Sequence, residues 1–256
     1  MADAEAQPKK SDLKVRVASA LVMLGVAGTA MWLGGWFWAL FVGAVALGVV
    51  WEWWNLVRGF VPGLVGRVLW MLGGLVYVGL AALMFVVLRE DPVTGWPMLL
   101  LVLLGVIGTD VGAYFAGRTF GGPKIAPAIS PSKTWSGLGG GMLGAATGIW
   151  LAMKIALSQS FVGAVNTALA GGSESVDMVT GFGWPSLIGS LIAGAVLAAI
   201  AQSGDFFESW MKRRAEVKDS SQLIPGHGGL FDRADGMLAV MFAIGLLSVH
   251  SFVFSQ

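Results

Sequence analysis

Long apolar stretches recur along the whole chain, and they constrain its fold more than any other feature. They fall at roughly 17–33, 36–55, 68–88, 98–117, 136–156, 184–204 and 235–253. Each is close to the ~20 residues that a helix needs to cross ~30 Å of hydrocarbon. Because 56% of the residues are hydrophobic, a soluble domain of this length could not bury them. We therefore expect an all-α, polytopic integral membrane protein with about seven transmembrane helices.

Two places leave the number of helices open. Only Gly34 and Gly35 separate the first two stretches, which therefore form either a tight helical hairpin or one bent helix. Residues 157–183 are too mixed in polarity to define a span, and a further helix or re-entrant segment there would raise the count to eight or nine. Residues 1–30 also resemble a signal peptide, but the apolar hairpin that follows favours an uncleaved anchor.

The positive charges are distributed unevenly between the loops. With the N-terminus in the cytoplasm, every Lys and Arg except Arg89 and Lys154 lies on the cytoplasmic side, as the positive-inside rule requires. The chain has no Cys, which excludes disulfides and thiolate chemistry. Its net charge of +1 provides no general attraction to nucleic acid.

These patterns divide the chain into three parts. We expect a polar cytoplasmic tail at 1–13, N-terminal transmembrane helices over 14–97, and a catalytic transmembrane domain over 98–256 with cytoplasmic loops at 118–135 and 205–235.

Charged residues are scarce, yet many of them gather in residues 203–235. Asp205, Ser209, Lys212 and Glu216 are spaced by four, three and four residues, which places them on one face of a helix. This helix should extend the sixth span out of the membrane and end near 218–221, with Arg213 broadening its basic side. Such a run of Lys and Arg beside a span is also typical of an orientation signal.

A glycine-rich loop follows that helix at 223–229. Glycines in such a loop permit positive φ and let backbone N–H groups approach an anion closely. His227 within the loop could contact phosphate, transfer a proton or cap the turn. Asp232 and Asp235 then begin the last span, where each could be a metal ligand or simply a helix N-cap.

The combination of these groups indicates a reaction class. Carboxylates supply the hard oxygen ligands that Mg²⁺ prefers, often together with substrate phosphates. Lys and Arg neutralise phosphate charge. Carboxylates, cations and a glycine loop within one segment are what phosphoryl or nucleotidyl transfer requires.

A second polar cluster lies at 108–137. Asp110 falls inside an apolar span, where a charge costs at least ~2.5–3.5 kcal/mol, so it is predicted to belong to a functional site. Arg118 follows two turns later, and a loop with Ser130, Lys133 and Thr134 could bind phosphates. Glu52, which lies among three Trp residues, is predicted to be an interfacial anchor.

Three segments resemble the phosphatidate cytidylyltransferases, also called CDP-diacylglycerol synthases. Residues 209–235, SWMKRRAEVKDSSQLIPGHGGLFDRAD, resemble the long signature of that family in residue type and spacing. SPSKTW at 130–135 and DVGAYFAG at 110–117 resemble further family motifs. The likeness covers roughly 100–255, and Ala234, Ser132 and Ser136 depart from the usual pattern.

The resemblance implies that the chain transfers the cytidylyl group of CTP to phosphatidate with Mg²⁺, giving CDP-diacylglycerol and pyrophosphate in the inner membrane of a bacterium. The expected catalytic residues are Asp205, Lys212, Arg213, Lys218, Asp219, His227 and Arg233. The expected substrate-binding residues are Asp110, Arg118, Ser130, Lys133, Thr134, Ser209, Gly226, Gly228 and Gly229. The expected metal ligands are Asp205, Asp232 and Asp235.

Several alternatives remain open at this point. A CTP-dependent lipid kinase, or a cytidylyltransferase acting on another lipid phosphate, needs similar groups. An ion-coupled transporter would use Asp110 as its coupling group and make no lipid product. A second metal ion, a monovalent cation and a homodimer are each compatible with the sequence.

Overall fold

The computed structural model describes residues 10–91, 95–169 and 184–254. These residues form seven α-helices and one antiparallel β-hairpin. The helices are α1 (Lys10–Leu33), α2 (Gly35–Phe60), α3 (Leu64–Glu90), α4 (Gly95–Phe120), α5 (Trp135–Leu169), α6 (Trp184–Arg214) and α7 (Phe231–Phe254). The strands of the hairpin are β1 (Lys124–Ala126) and β2 (Ser130–Thr134).

All seven helices are long and apolar enough to cross a membrane. The prediction of an all-α, polytopic integral membrane protein is therefore confirmed. The first two apolar stretches are separate helices, because Gly34 and Gly35 adopt φ values of 63° and 51° that break the helix between them. The uncertain segment 157–183 is helical as far as Leu169, and its remaining residues lie outside the described ones.

Alternation of the helices brings all the predicted polar segments to one end of the bundle. This end carries the N-terminus of α1, the α2–α3 turn, the β-hairpin and the α6–α7 loop; we call it the polar end. The Ser19 hydroxyl of α1 lies 2.8 Å from His227 Nδ1 in the α6–α7 loop, which shows that these two segments meet there.

Helix α6 ends earlier than the sequence predicts. It stops at Arg214 instead of near 218–221, because Glu216 adopts a left-handed φ of 57°. The N–H of Val217 bonds to the carbonyl of Lys212 at 3.0 Å, and the N–H of Glu216 bonds to that of Arg213 at 3.3 Å. This is the pattern of a Schellman C-cap. Glu216 therefore does not share the helical face of Asp205, and that part of the prediction is wrong.

The segment predicted as a cytoplasmic loop at 118–135 contains the hairpin. Lys124 pairs with Thr134 and Ala126 pairs with Ser130. The Ser136 hydroxyl also bonds to the Gly121 carbonyl, which ties the start of α5 to the end of α4. The hairpin holds the β2 strand at a fixed position over the polar end.

Helices α4 and α5 pack with their backbones in direct contact. A Cβ atom at Gly108 would lie 2.2 Å from the Gly144 carbonyl oxygen, and a Cβ atom at Gly112 would lie 2.2 Å from that of Gly140. Small residues spaced in this way let membrane helices approach closely. Asp110 lies between these two glycines on α4. The contact therefore fixes the position of Asp110 along the helix axis relative to the hairpin.

We expect Gly112→Val to destabilise the protein, because the new side chain would meet backbone atoms that cannot move aside. Overpacking of this kind costs about 1–3 kcal/mol, which should lower the melting temperature in detergent by several degrees. Gly139→Val is the matched control, since a Cβ atom at Gly139 meets nothing within 4 Å. Equal melting temperatures for the two variants would contradict the close α4–α5 packing.

Candidate active site

The centre of the polar end is an ion pair between α6 and the hairpin. The Lys133 ammonium on β2 contacts the Asp205 carboxylate on α6. The Ser209 hydroxyl, one turn further along α6, donates to Asp205 Oδ1 at 3.5 Å. The predicted shared face of Asp205 and Ser209 is therefore present, and Lys133 reaches it from a segment 72 residues away in sequence.

Two more carboxylates lie near this ion pair. Asp235 on α7 interacts electrostatically with Asp205, with Asp110 on α4 and with Lys133. Asp235 Oδ1 also accepts a bond of 2.8 Å from the N–H of Gly236. Four elements thus contribute to one group, Asp110, Lys133, Asp205 and Asp235, which we call the carboxylate cluster. It brings the two polar regions of the sequence together, as predicted.

A cavity of about 330 Å³ opens beside the carboxylate cluster. Its charged lining residues are Asp110, Arg118 and Lys133, and Thr134 also contributes to the wall. The Arg118 guanidinium is held by the Tyr114 hydroxyl at 3.0 Å. Because it has cationic groups in the wall and carboxylates beside it, this cavity suits a phosphate-bearing ligand.

A second charged group lies deeper in the polar end. Lys212 Nζ is 2.6 Å from Glu208 Oε2 and 2.6 Å from Asp232 Oδ1. The side chain of Glu208 is 1% exposed, and Lys212 contacts its Oε2, whereas its Oε1 is buried without a hydrogen-bond partner among the described residues. Lys212 was predicted to clamp phosphates, but here it bridges two carboxylates of the protein.

Asp232 has its bonding capacity filled by the protein. Its Oδ2 accepts from the N–H groups of Ser220 and Gly229 at 2.9 and 2.8 Å. It also lies 2.9 Å from the Ser220 hydroxyl, whose single proton is shared with Glu52. Its Oδ1 accepts from Lys212. These contacts do not match the N-cap interpretation weighed for Asp232, because its backbone donors belong to the α6–α7 loop and not to the first turn of α7.

The predicted glycine loop borders a second cavity of about 480 Å³. Gly226 and Gly228 adopt φ values of 76° and 87°, which explains why glycine is required at both positions. The Arg233 guanidinium holds the loop by donating to the His227 carbonyl at 3.0 and 2.8 Å. The lining comprises Arg16, Lys218, Asp219, Gln222, Ile224, Pro225, Gly226, His227, Gly228 and Arg233.

The remaining predicted residues have structural contacts outside both cavities. Ser130 is buried in the hairpin, and Arg213 donates to the Ile129 carbonyl at 3.4 Å, which connects α6 to the hairpin. Gly229 is buried, and a Cβ atom there would lie 2.0 Å from the Ser220 hydroxyl and 2.6 Å from Glu52. Close packing within the protein, and not approach to a nucleotide, accounts for Gly229.

The prediction that Glu52 is an interfacial anchor is wrong. Its side chain is completely buried and bonds to the α6–α7 loop. A carboxylate within an apolar span was the available signal, and the neighbouring Trp residues obscured it. Sequence reasoning also missed Glu208, although it lies four residues before Lys212, which is the usual spacing of a helical ion pair. Nothing in the sequence marked Arg16 or Ser19 as loop contacts.

The chain resembles known enzymes over most of its length. Residues 63–250 match the cytidylyltransferase family. Phosphatidate cytidylyltransferase of Brucella melitensis is 30% identical over 96% of both chains. The Rickettsia bellii protein of the same name is 31% identical over 90% of this chain and 88% of its own. That of Haemophilus influenzae is 40% identical over 59% of this chain and 46% of its own.

The match of most of the chain assigns it to a class of membrane enzymes. The chain belongs to the cytidylyltransferase family. The resemblance found in its motifs is thereby confirmed.

Proposed function

We propose that this protein transfers the cytidylyl group of CTP to phosphatidate, giving CDP-diacylglycerol and pyrophosphate. The observation that carries the proposal is the carboxylate cluster, in which Asp205 pairs with Lys133 and both interact electrostatically with Asp110 and Asp235, beside a cavity lined with cations. The names of the relatives supply the substrate pair. A membrane enzyme can take one substrate from the bilayer and the other from water.

The reaction requires little proton transfer. A phosphomonoester has its second pKa near about 6, so the phosphate of phosphatidate is largely dianionic at neutral pH. Its oxygen attacks the α-phosphorus of CTP, a new P–O bond forms, and the bond to the bridging oxygen of pyrophosphate breaks. The enzyme must therefore bring two anions together and stabilise the leaving pyrophosphate. Lys133, Arg118, Lys218 and Arg233 are the cations that we assign to this task.

We further propose that Mg²⁺ takes part, with Asp205 and Asp235 as its protein ligands. When bound, Mg²⁺ would neutralise phosphate charge and stabilise the leaving oxygen. Among the described residues, no three acidic, His or Cys side chains form a ready-made metal site. One or two carboxylates suffice, however, when substrate phosphates complete the shell. Asp232 does not fit the role predicted for it, because fixed backbone N–H groups occupy its Oδ2 and Lys212 occupies its Oδ1. The donors to Asp205 are instead the side chains of Lys133 and Ser209, which can turn towards a bound substrate.

The polar end is proposed to face the cytoplasm. The basic residues of the described chain gather there, whereas Arg89 and Lys154 lie towards the other end. This asymmetry supports the orientation through the positive-inside rule, and CTP is available on that side. The bacterial relatives support an inner-membrane location.

Labelled CTP tests the reaction directly. With purified protein, phosphatidate and Mg²⁺, we expect label from the α-phosphate of CTP to enter lipid and label from the γ-phosphate to leave as pyrophosphate. Transfer of the γ-label into lipid would instead indicate a kinase. Lipid phosphates other than phosphatidate serve as competing acceptors. Absence of labelled lipid under all conditions would contradict the proposal.

A further inference from the structure

Glu52 of α2 is bonded to the α6–α7 loop by both of its carboxylate oxygens. Oε1 accepts from the Ser221 hydroxyl at 2.6 Å and from the N–H of Leu230 at 2.9 Å. Oε2 accepts from the Ser220 hydroxyl at 2.9 Å and from the N–H of Phe231 at 2.7 Å. The side chain is 0% exposed, so contacts within the protein take the place of its hydration.

The contacts require a carboxylate and not merely a polar side chain. All four partners are N–H or O–H donors, and a glutamine would turn its own NH₂ group towards two of them. Two of the donors are the backbone N–H groups at the first residue of α7 and the residue before it. A negative charge at a helix N-terminus is favoured by the helix dipole and satisfies N–H groups that have no partner within the helix.

The bonds of Glu52 continue towards the candidate active site. The Ser220 hydroxyl lies 2.9 Å from Glu52 Oε2 and 2.9 Å from Asp232 Oδ2, so its single proton lies between the two carboxylates and bonds to one of them at a time. Asp232 is the second residue of α7, and Asp235 follows on the same helix one turn later. The direction in which α7 leaves the loop therefore depends on a carboxylate of α2.

We propose that Glu52 is a positioning residue for the reaction. It fixes the N-terminus of α7 and the Ser220–Ser221 segment, and so places Asp235 in the carboxylate cluster. This inference rests on the proposed function. Residue 52 lies before the 63–250 region that matches the family, and within the N-terminal helices that the sequence separated from the catalytic domain. The active site therefore includes a positioning group from the N-terminal helices.

The principal test is Glu52→Gln, measured on the folded fraction of detergent-purified protein. Misplacing a reacting group by about 1 Å can cost about 100-fold in rate, and we expect a loss of kcat of that size. We also expect a higher half-saturating Mg²⁺ concentration and faster hydrogen exchange in residues 219–231. A purely structural role would lower the yield of folded protein and leave both kcat and the Mg²⁺ requirement of the remainder unchanged.

Glu90→Gln is the matched control. Glu90 also accepts a bond of 2.8 Å from a backbone N–H of a neighbouring helix, that of Gly35, but at the opposite end of the bundle. It should keep the wild-type kcat and the wild-type exchange in residues 219–231. Ser221→Ala is the milder variant and removes one donor to Glu52. Loss of one bond to a charged group should lower kcat about tenfold in the wild-type background. In the Glu52→Gln background, Ser221→Ala should lower kcat little further.

The outcomes separate this proposal from the proposed reaction. If wild-type protein forms no CDP-diacylglycerol, the reaction is wrong, while exchange in residues 219–231 still tests the positioning. A folded Glu52→Gln variant with wild-type kcat and exchange would overturn the inference. If that variant does not fold, wild-type kcat in folded Ser221→Ala would overturn it instead.

Discussion

Asp235→Asn is expected to abolish turnover while leaving the fold intact. Asn has nearly the shape of Asp but lacks the charge that a metal ligand requires. We expect kcat to fall at least about 1,000-fold, which corresponds to roughly 4 kcal/mol of lost transition-state stabilisation. The measurement is CDP-diacylglycerol formation from labelled CTP over a range of Mg²⁺ concentrations.

The stability of this variant should not decrease. Asp235 interacts with two other carboxylates, Asp205 and Asp110, so removing its charge relieves repulsion between like charges. We therefore expect an unchanged or higher melting temperature together with lost activity. A protein that loses activity only because it unfolds would show the opposite temperature shift.

Two further variants serve as comparisons for Asp235→Asn, one for turnover and one for stability. Asp91→Asn changes a carboxylate at the other end of the bundle, at the C-cap of α3, and should retain wild-type turnover. Asp232→Asn should instead lower the melting temperature, because Asp232 bonds to Lys212 and to two backbone N–H groups. Full turnover in Asp235→Asn would exclude it as a metal ligand and would require a different centre for the reaction.

The transmembrane architecture could be predicted because each span has its own strong signal. A run of about 20 apolar residues has few alternatives to a membrane helix, since every backbone polar group must be satisfied within it. The end of α6 could not be predicted in the same way. It depends on Glu216 adopting a positive φ, which a residue with a side chain rarely does.

The candidate site was predictable where residues lie close in sequence or are costly to bury. Asp110 stood out within an apolar span, and the spacing of Asp205 and Ser209 placed them on one face. The Lys133–Asp205 pair joins segments 72 residues apart, and only the motif resemblance connected them beforehand. Glu52 is 168 residues from Ser220, and no local pattern reports a contact over that separation.

Lys212 distinguishes a structural charge from a substrate-binding one. Its side chain is 15% exposed, and its partners Glu208 and Asp232 are 1% and 7% exposed. Removing one member of a buried ion pair leaves the remaining charge uncompensated and costs about 3–5 kcal/mol. We therefore expect Lys212→Met to lower the melting temperature in detergent more than any other substitution considered above. Differential scanning fluorimetry of purified protein measures this shift.

A second substitution tests the cause of that loss. Glu208→Met in the Lys212→Met background replaces the buried carboxyl group that has lost its partner by an apolar side chain of similar size, so the double variant should recover part of the lost stability. Lys154→Met is the control, because Lys154 contacts the Trp150 ring, 5.4 Å from its centroid, on the part of α5 distant from the hairpin. If Lys212→Met instead kept its melting temperature and raised KM for CTP, Lys212 would face the substrate, as the motif resemblance first implied.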